Sequence, residues 1–452
     1  MAASIESKTP ALNELSQSLL LEQALRIGRM RLLPLLVLMY ILDFLNRANL
    51  SYVKAAYQTN TGISNAAYSF GAGVFFIGYS IFAIPANLML HRLGARIWMC
   101  SIMIIWGLVS ACMAFAHTET WFYFLRFLLG VAEAGFFPGV IFYLTKWFPE
   151  KARGQALGIF YWGFPLAMII GGPLSGWLMD VGGKRGIVNW QWMFIVEGMM
   201  SSAVGVAALF YLVDGPERAP WFKQEERNAL LHSLHLESAE KEKHGPSTLL
   251  SAFKDAKVLF FGLIYFAIQT SVYGVVFFLP ARIAETMHTN VGLAVGLITA
   301  IPWICSAMVT RFMTLYADRT GWHRVLAAMM LAVAAIGIMT SALSDNPYWV
   351  VLAFCIAASG FVSAQPLFWT QPSNYLSGIA AAGGIGMINT IGNFGGLVAP
   401  SIKTYAEASL GMAQAGMFLL SIIGLVAALI LVVCYRPPKV ASLLAGAGST
   451  DG

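Results

Sequence analysis

Apolar runs of about twenty residues recur from one end of the 452-residue chain to the other. Each is long enough to cross about 30 Å of hydrocarbon as an α-helix. Inside a bilayer the backbone must satisfy its own hydrogen bonds, so such runs fold as helices. Read between breakers, the pattern predicts twelve spans near residues 32–57, 69–90, 97–116, 121–145, 154–178, 191–213, 258–280, 291–315, 323–343, 347–369, 378–399 and 411–435. Only 11% of the residues are charged, against about 25% in soluble domains. The short alternating segments of a membrane β-barrel are absent. The expectation is an all-α membrane protein.

A polar interval, residues 214–257, divides the spans six and six. The predicted organisation is therefore a cytoplasmic N-terminal segment (1–31), an N-terminal six-helix bundle (32–213), a cytoplasmic central loop (214–257), a C-terminal six-helix bundle (258–435) and a cytoplasmic tail (436–452). Within the central loop, WFKQEERNALLHSLHLE reads as a short amphipathic helix lying on the membrane surface. Twenty Lys and Arg fall on the side of both termini and five on the other, with Arg47, Arg126 and Arg311 inside spans. By the positive-inside rule both termini are cytoplasmic, in a bacterial-type inner membrane crossed many times.

Other classes are excluded by what is scattered or absent. The five cysteines lie apart in apolar segments with no C-x-x-C pair, which argues against a disulfide framework or zinc site. The net charge of +6 is spread over loops, unlike a nucleic-acid patch. No signal peptide is visible ahead of the first span. No metal-ligand spacing, no clustered nucleophile and base, and no G-x-x-x-x-G-K-[ST] loop occurs, so neither an enzyme, a cofactor nor ATP-driven transport is expected.

The informative residues are those that an apolar run should exclude. An ionisable side chain at the bilayer centre costs about 2.5–3.5 kcal/mol on insertion scales. Span one nevertheless carries Asp43 and Arg47, span four Arg126 and Glu133, and span six Glu197, which follows WQW near the membrane interface. Asp43 and Arg47 are i and i+4, hence on one helix face and able to pair. Arg126 and Glu133 are seven apart, on one face but about 10.5 Å apart along the axis. Arginine suits a carboxylate ligand, because its planar fork donates two parallel hydrogen bonds. Burial disfavours a charged carboxylate and a neighbouring guanidinium favours it, so an anion competing for the guanidinium changes the balance. On this reading protonating Glu133 frees Arg126 for an anion. A purely structural role, an intrahelical or interhelical staple, remains open for both pairs. The second half offers neutral groups instead: Asn389 and Asn393 in GGIGMINTIGNFGG, Trp369, Thr370 and Gln371 at the end of span ten, and Gln269 and Tyr273 in span seven.

Two short basic turns, HRLGAR after span two and DRTGWHR after span eight, occupy matching places in the halves. With them the six-plus-six pattern resembles the major facilitator superfamily. LNRANLS, IPANLMLHRLGARIW, LRFLLGVAEAGFFPGVIFYLTKWFPEKARG, WQWMFIVEG and INTIGNFGGLVAP resemble its anion–cation symporter family, and YQTNTGISNAAYSFGAGVFF the tartrate, phthalate and sugar-acid permease branch. The resemblance implies a monomeric transporter whose two halves rock around a central site. It also implies Arg47 and Arg126 as substrate ligands, Glu133 as a proton site, and Tyr79 and Asn393 facing the substrate. We add Trp369 and Thr370 to the substrate set. Arg92, Gly94, Arg96, Asp318, Arg319 and Gly321 would serve the cytoplasmic gate.

The sequence departs from the family pattern twice. Asn46 stands where an Asp commonly precedes the helix-one Arg, and His91 where the loop usually has Asp. Asp43, one turn before Arg47, either carries a proton in place of residue 46 or neutralises Arg47 in the empty state. The expected function is proton-coupled import of a small organic carboxylate. The alternatives are anion exchange or uniport, motivated by Asn46, and a non-transporting carboxylate sensor. Two arginines allow a dicarboxylate; one held by Asp43 would leave room for a monocarboxylate with hydroxyls.

Overall fold

The computed structural model describes residues 8–183, 186–242, 255–375, 378–412 and 414–434. Lys184, Arg185, the AEKEKHGPS run from Lys243 on and the 436–452 tail lie outside the described residues. In chain order the helices are α1 (Lys8–Ala48), α2 (Leu50–Thr61), α3 (Asn65–Leu93), α4 (Ala95–Cys112), α5 (Glu119–Glu133), α6 (Phe136–Trp147), α7 (Glu150–Tyr161) and α8 (Gly163–Val181). There follow α9 (Asn189–Tyr211), α10 (Gln224–Glu242), α11 (Ala256–Thr286), α12 (Leu293–Thr320), α13 (His323–Ser341), α14 (Pro347–Tyr375), α15 (Gly378–Leu410) and α16 (Ala415–Cys434). Short 3-10 turns add Met113–Phe115 and Pro216–Arg218, and no strand occurs among the described residues.

Among the described residues ten segments are long and apolar enough to cross a membrane. The two other expected spans fall short for reasons visible in their residues. The last eighteen residues of α1 carry Arg31, Asp43 and Arg47, and α15 is diluted by glycines, Asn389 and Asn393. The first of these shortfalls comes from the charges that single the helix out.

Several expected spans are not continuous helices. Span one breaks at Asn49 between α1 and α2, span four at Ala134–Gly135 between α5 and α6, and span five at Trp162 between α7 and α8. The apolar pattern runs through each break, so hydropathy alone does not mark it. The N-terminal segment is helical from Lys8, and α1 continues 41 residues. The central-loop helix begins at Gln224 and packs against α1, burying Leu230. Leu236 of the same helix is exposed.

The chain gathers into two compact units, Met1–Pro246 with Val276–Ile301, and Ser247–Val275 with Pro302–Gly452. In the first unit small residues set helix contacts, as expected where lipid supplies no net hydrophobic drive. A Cβ on Gly130 of α5 would collide with the Phe75 carbonyl of α3, and one on Gly78 with the Phe127 carbonyl. Gly107 and Gly198 bring α4 and α9 together in the same way. Beyond these crossings Tyr57, Tyr68, Phe122 and Trp190 form an aromatic core, with Tyr68 stacked on Phe122 at 5.5 Å. The segment Val276–Ile301 joins this unit through Gly172 and Gly296, a Tyr52–Thr299 hydroxyl contact of 3.3 Å and an Asp180 carboxylate on the Leu293 N–H at 2.7 Å. In the second unit α13 packs on α14 and α16, with Gly337 against Ala357 and Gly360 against Ala334.

Candidate functional site

The first unit holds a cluster of four buried ions. Arg47 lies in the last turn of α1, where the helix end favours a cation, one residue before the chain turns at Ala48–Asn49. Glu133 is the last residue of α5. Nη2 of Arg47 donates to Glu133 Oε2 at 2.7 Å and Nε to the same oxygen at 3.2 Å. Nη2 also reaches both Asp43 oxygens, at 3.3 and 3.2 Å. Asp43 is 2% exposed, Arg47 8%, and Arg126 and Glu133 1% each. One guanidinium therefore serves two buried carboxylates.

Arg126 is placed differently. Its Nη2 donates to the Ala72 carbonyl at 3.4 Å, and its Nε has no hydrogen-bond partner. No carboxylate lies within ion-pair distance of it among the described residues. Glu133 makes its ion pair with Arg47, which α1 brings across, and acts on Arg126 only at longer range. Two turns of α5 separate Arg126 from Glu133, about 10.5 Å along the axis.

An aromatic shelf supports both guanidiniums. The Phe75 ring lies 5.1 Å from the Cζ of Arg47 and 5.1 Å from that of Arg126. Phe44 and Tyr79 face Arg47 at 4.8 and 5.7 Å. The negative faces of aromatic rings stabilise cations where water is excluded. The glycine-lined crossing of α3 on α5 puts Phe75 there. Tyr79, on the same face one turn later, is buried beside Arg47 as well.

Asn46 does not join the cluster. Its amide N–H donates to the Leu42 carbonyl at 2.8 Å and to Ser201 of α9. Glu197 is also displaced from its expected place near the membrane edge. It is fully buried, and Ser175 of α8 donates to its Oε1 at 2.7 Å. It sits eight residues into α9, about 12 Å from the helix start, so the interfacial WQW misleads as a depth marker.

In the second unit the expected residues lie on α14 and α15. Asn393 is buried. Gly392 and Gly395 beside it press against Tyr265, Phe266 and Thr270 of α11. Trp369 packs edge-on to Tyr265 at 4.9 Å and is half-buried. The Thr370 hydroxyl donates to the Leu367 carbonyl at 2.8 Å and accepts from Gln371 at 3.2 Å. Gln365 donates to Gln269 at 3.3 Å. These are neutral hydrogen-bonding groups, in contrast to the charged cluster of the first unit.

The basic turns have the backbone that their glycines dictate. Gly94 at φ +83° and Gly321 at φ +71° end α3 and α12. Arg96 donates to the Leu209 carbonyl and pairs with Asp214 at 3.6 Å, tying α4 to the end of α9. Arg92 and Arg319 are exposed. The side chains of His91 and Asp318 lie outside the described residues.

Among the described residues ten helices are long and apolar enough to cross a membrane, and the first unit buries a cluster of charges, the makeup of a multi-pass membrane protein. The chain belongs to the major facilitator superfamily: the model of that description matches residues 36–400. It is 41% identical over 412 residues to "Inner membrane transport protein RhmT" of Escherichia coli (strain K12), covering 91% of this chain and 95% of that one. It is 38% identical over 417 residues to a "Putative tartrate transporter" of Agrobacterium vitis, covering 92% and 95%. Among solved structures, the bacterial homologue of the lysosomal transporter Spinster, inward-facing and occupied, superposes with a TM-score of 0.73 at 15% identity, covering 91% and 97%. That likeness is one of fold.

Proposed function

We propose that this transporter imports a small organic carboxylate of the tartrate, phthalate or sugar-acid type together with protons, by alternating access, across a bacterial inner membrane with both termini cytoplasmic. The observation that carries this reading is the unequal pairing of the two arginines. Arg126 is a buried guanidinium with no counter-ion among the described residues, so it is the first receptor for an anion. Arg47 is held by Glu133 and Asp43, so it becomes available when a carboxylate takes up a proton. Two guanidiniums and two carboxylates sum to zero charge. Adding an anion in low dielectric unbalances the cluster unless a proton enters with it. The cluster thus couples one proton to each negative charge of the substrate.

Glu133 carries that proton first and Asp43 the second, for a dianion. Tyr79 orients the bound group beside Arg47, while Asn393, Trp369 and Thr370 supply neutral contacts to the substrate. Arg92, Gly94, Arg96, Asp318, Arg319 and Gly321 act in the cytoplasmic turns as gate elements. The tartrate relative supports a hydroxylated carboxylate. A second reading, exchange or uniport without net proton movement, is favoured by one observation: Asn46 is committed to Leu42 and Ser201 and carries no proton.

Glu133→Gln tests the assignment. The amide mimics the protonated acid, so pH-driven accumulation in proteoliposomes is expected to vanish while exchange of labelled for unlabelled substrate persists. Accumulation that survives the substitution would remove Glu133 from the coupling step.

A further inference from the structure

A second polar cluster lies apart from the four ions and is built around Glu197. Its Oε1 accepts from Ser175, but its Oε2 has no hydrogen-bond partner. Asn49, at the break between α1 and α2, lies close enough to this carboxyl to interact with it, yet neither its amide nitrogen nor its amide oxygen is in full hydrogen-bond geometry with a described group. The Asn46 amide oxygen is likewise unpartnered, while its nitrogen reaches Ser201, whose hydroxyl donates to the Glu197 carbonyl at 3.1 Å. All five residues are at most 1% exposed. Unmet hydrogen-bonding groups at such burial call for an occupant or a change of state.

We infer that Glu197 is a second proton-carrying site, titrated during the transport cycle separately from the Arg47 cluster. As an acid, its O–H donates to the Asn49 amide oxygen. As a carboxylate, its Oε2 accepts from the Asn49 N–H. Turning over one amide therefore serves both states, and the proton bonds to Oε2 on one side of the membrane and leaves to water on the other. Among the described residues no cation is paired with Glu197, unlike Glu133, which is paired with Arg47.

The surroundings support a lone, exchangeable proton. Tyr52 of α2 lies near enough for the charge of Glu197 to act on it. From α8 it meets Ser175, while Asp180 on that helix is bonded to the Leu293 N–H. At the end of α1 it adjoins Asn49, while Asp43 is paired with Arg47 and Arg47 with Glu133. The α4 helix has Cys100, Cys112 and Arg96, the last tied to Leu209 and Asp214, and the Met113–Phe115 turn has no titratable residue. Tyr52 in turn touches Thr299, so the state of Glu197 is sensed where Val276–Ile301 joins the unit. Because the four-ion cluster already balances the substrate charge, a proton on Glu197 adds one net positive charge to each cycle.

This inference rests on the proton-coupled reading above, and the test separates the two. Full-length protein in proteoliposomes is given tartrate, phthalate or an aldonate, and luminal acidification and labelled uptake are measured together. Glu197→Gln is expected to lower the protons per substrate by one and to abolish stimulation by an inside-negative potential, with exchange retained. Ser175→Ala and Asn49→Ala keep the carboxyl, so they are expected to shift the pH midpoint of uptake without changing the ratio. They also carry the test if Glu197→Gln does not assemble. An unchanged ratio in Glu197→Gln, or unmoved midpoints in the other two, would overturn the assignment. Failure of the wild-type protein to acidify the lumen with any compound would overturn the proton-coupled reading itself.

Discussion

Arg126 keeps its charge in the protein interior with one carbonyl at 3.4 Å and one aromatic face. We propose it as the receptor for a planar anion, and its fork is what an ammonium lacks. Arg126→Lys is therefore expected to weaken carboxylate binding about tenfold or more, equivalent to about 1.4 kcal/mol, with little change in melting temperature. Titration calorimetry in detergent checks it; unchanged affinity would remove Arg126 from the binding set. Arg47 is the poorer test residue, because its loss strands two buried carboxylates at a cost of about 3–5 kcal/mol. Legibility at this scale follows the same division. Asp43, Arg47, Arg126 and Glu133 stand out in sequence because apolar runs exclude charge. The choice of Arg47 over Arg126 as partner of Glu133 does not stand out, since it depends on where α1 crosses α5. Phe75, one of 30 phenylalanines, carries no sequence signal for its place beside both arginines. Glu197 was visible, but its burial was not.

The breaks and crossings of helices place these side chains. Arg47 and Glu133 both lie where a span is interrupted, at Asn49 and at Ala134–Gly135. The α3–α5 crossing depends on Gly130, where an added methyl meets backbone, which cannot yield. Gly130→Ala is expected to destabilise the protein by about 1–3 kcal/mol, the usual cost of overpacking, and to lower uptake by moving Phe75. Gly158→Ala is its control, because nothing lies within 4 Å of that added methyl and alanine favours a helix. Thermal unfolding in detergent compares them, and equal melting temperatures would contradict the role given to the crossing. Run length made the helices readable, but nothing in an uninterrupted apolar pattern announces where they bend. The amphipathic pattern of 221–237 made α10 readable too, though not the α1 surface it packs against.

At the scale of the molecule, the class follows from chain-long apolar repetition, and the family from motifs spread through both halves of the sequence. The proposed function rests on the four buried ions of the first unit. On the proposed reading, a buried set of two cations and two carboxylates accepts an anion at low cost only if protons accompany it. The most direct measurement is luminal pH in proteoliposomes carrying a pH-sensitive dye, as tartrate, phthalate and several aldonates are added outside one at a time. Acidification with one compound and silence with the others is the expected result, and it names the substrate. Entry of labelled substrate against preloaded substrate, with no pH change for any compound, would contradict proton coupling and establish exchange instead.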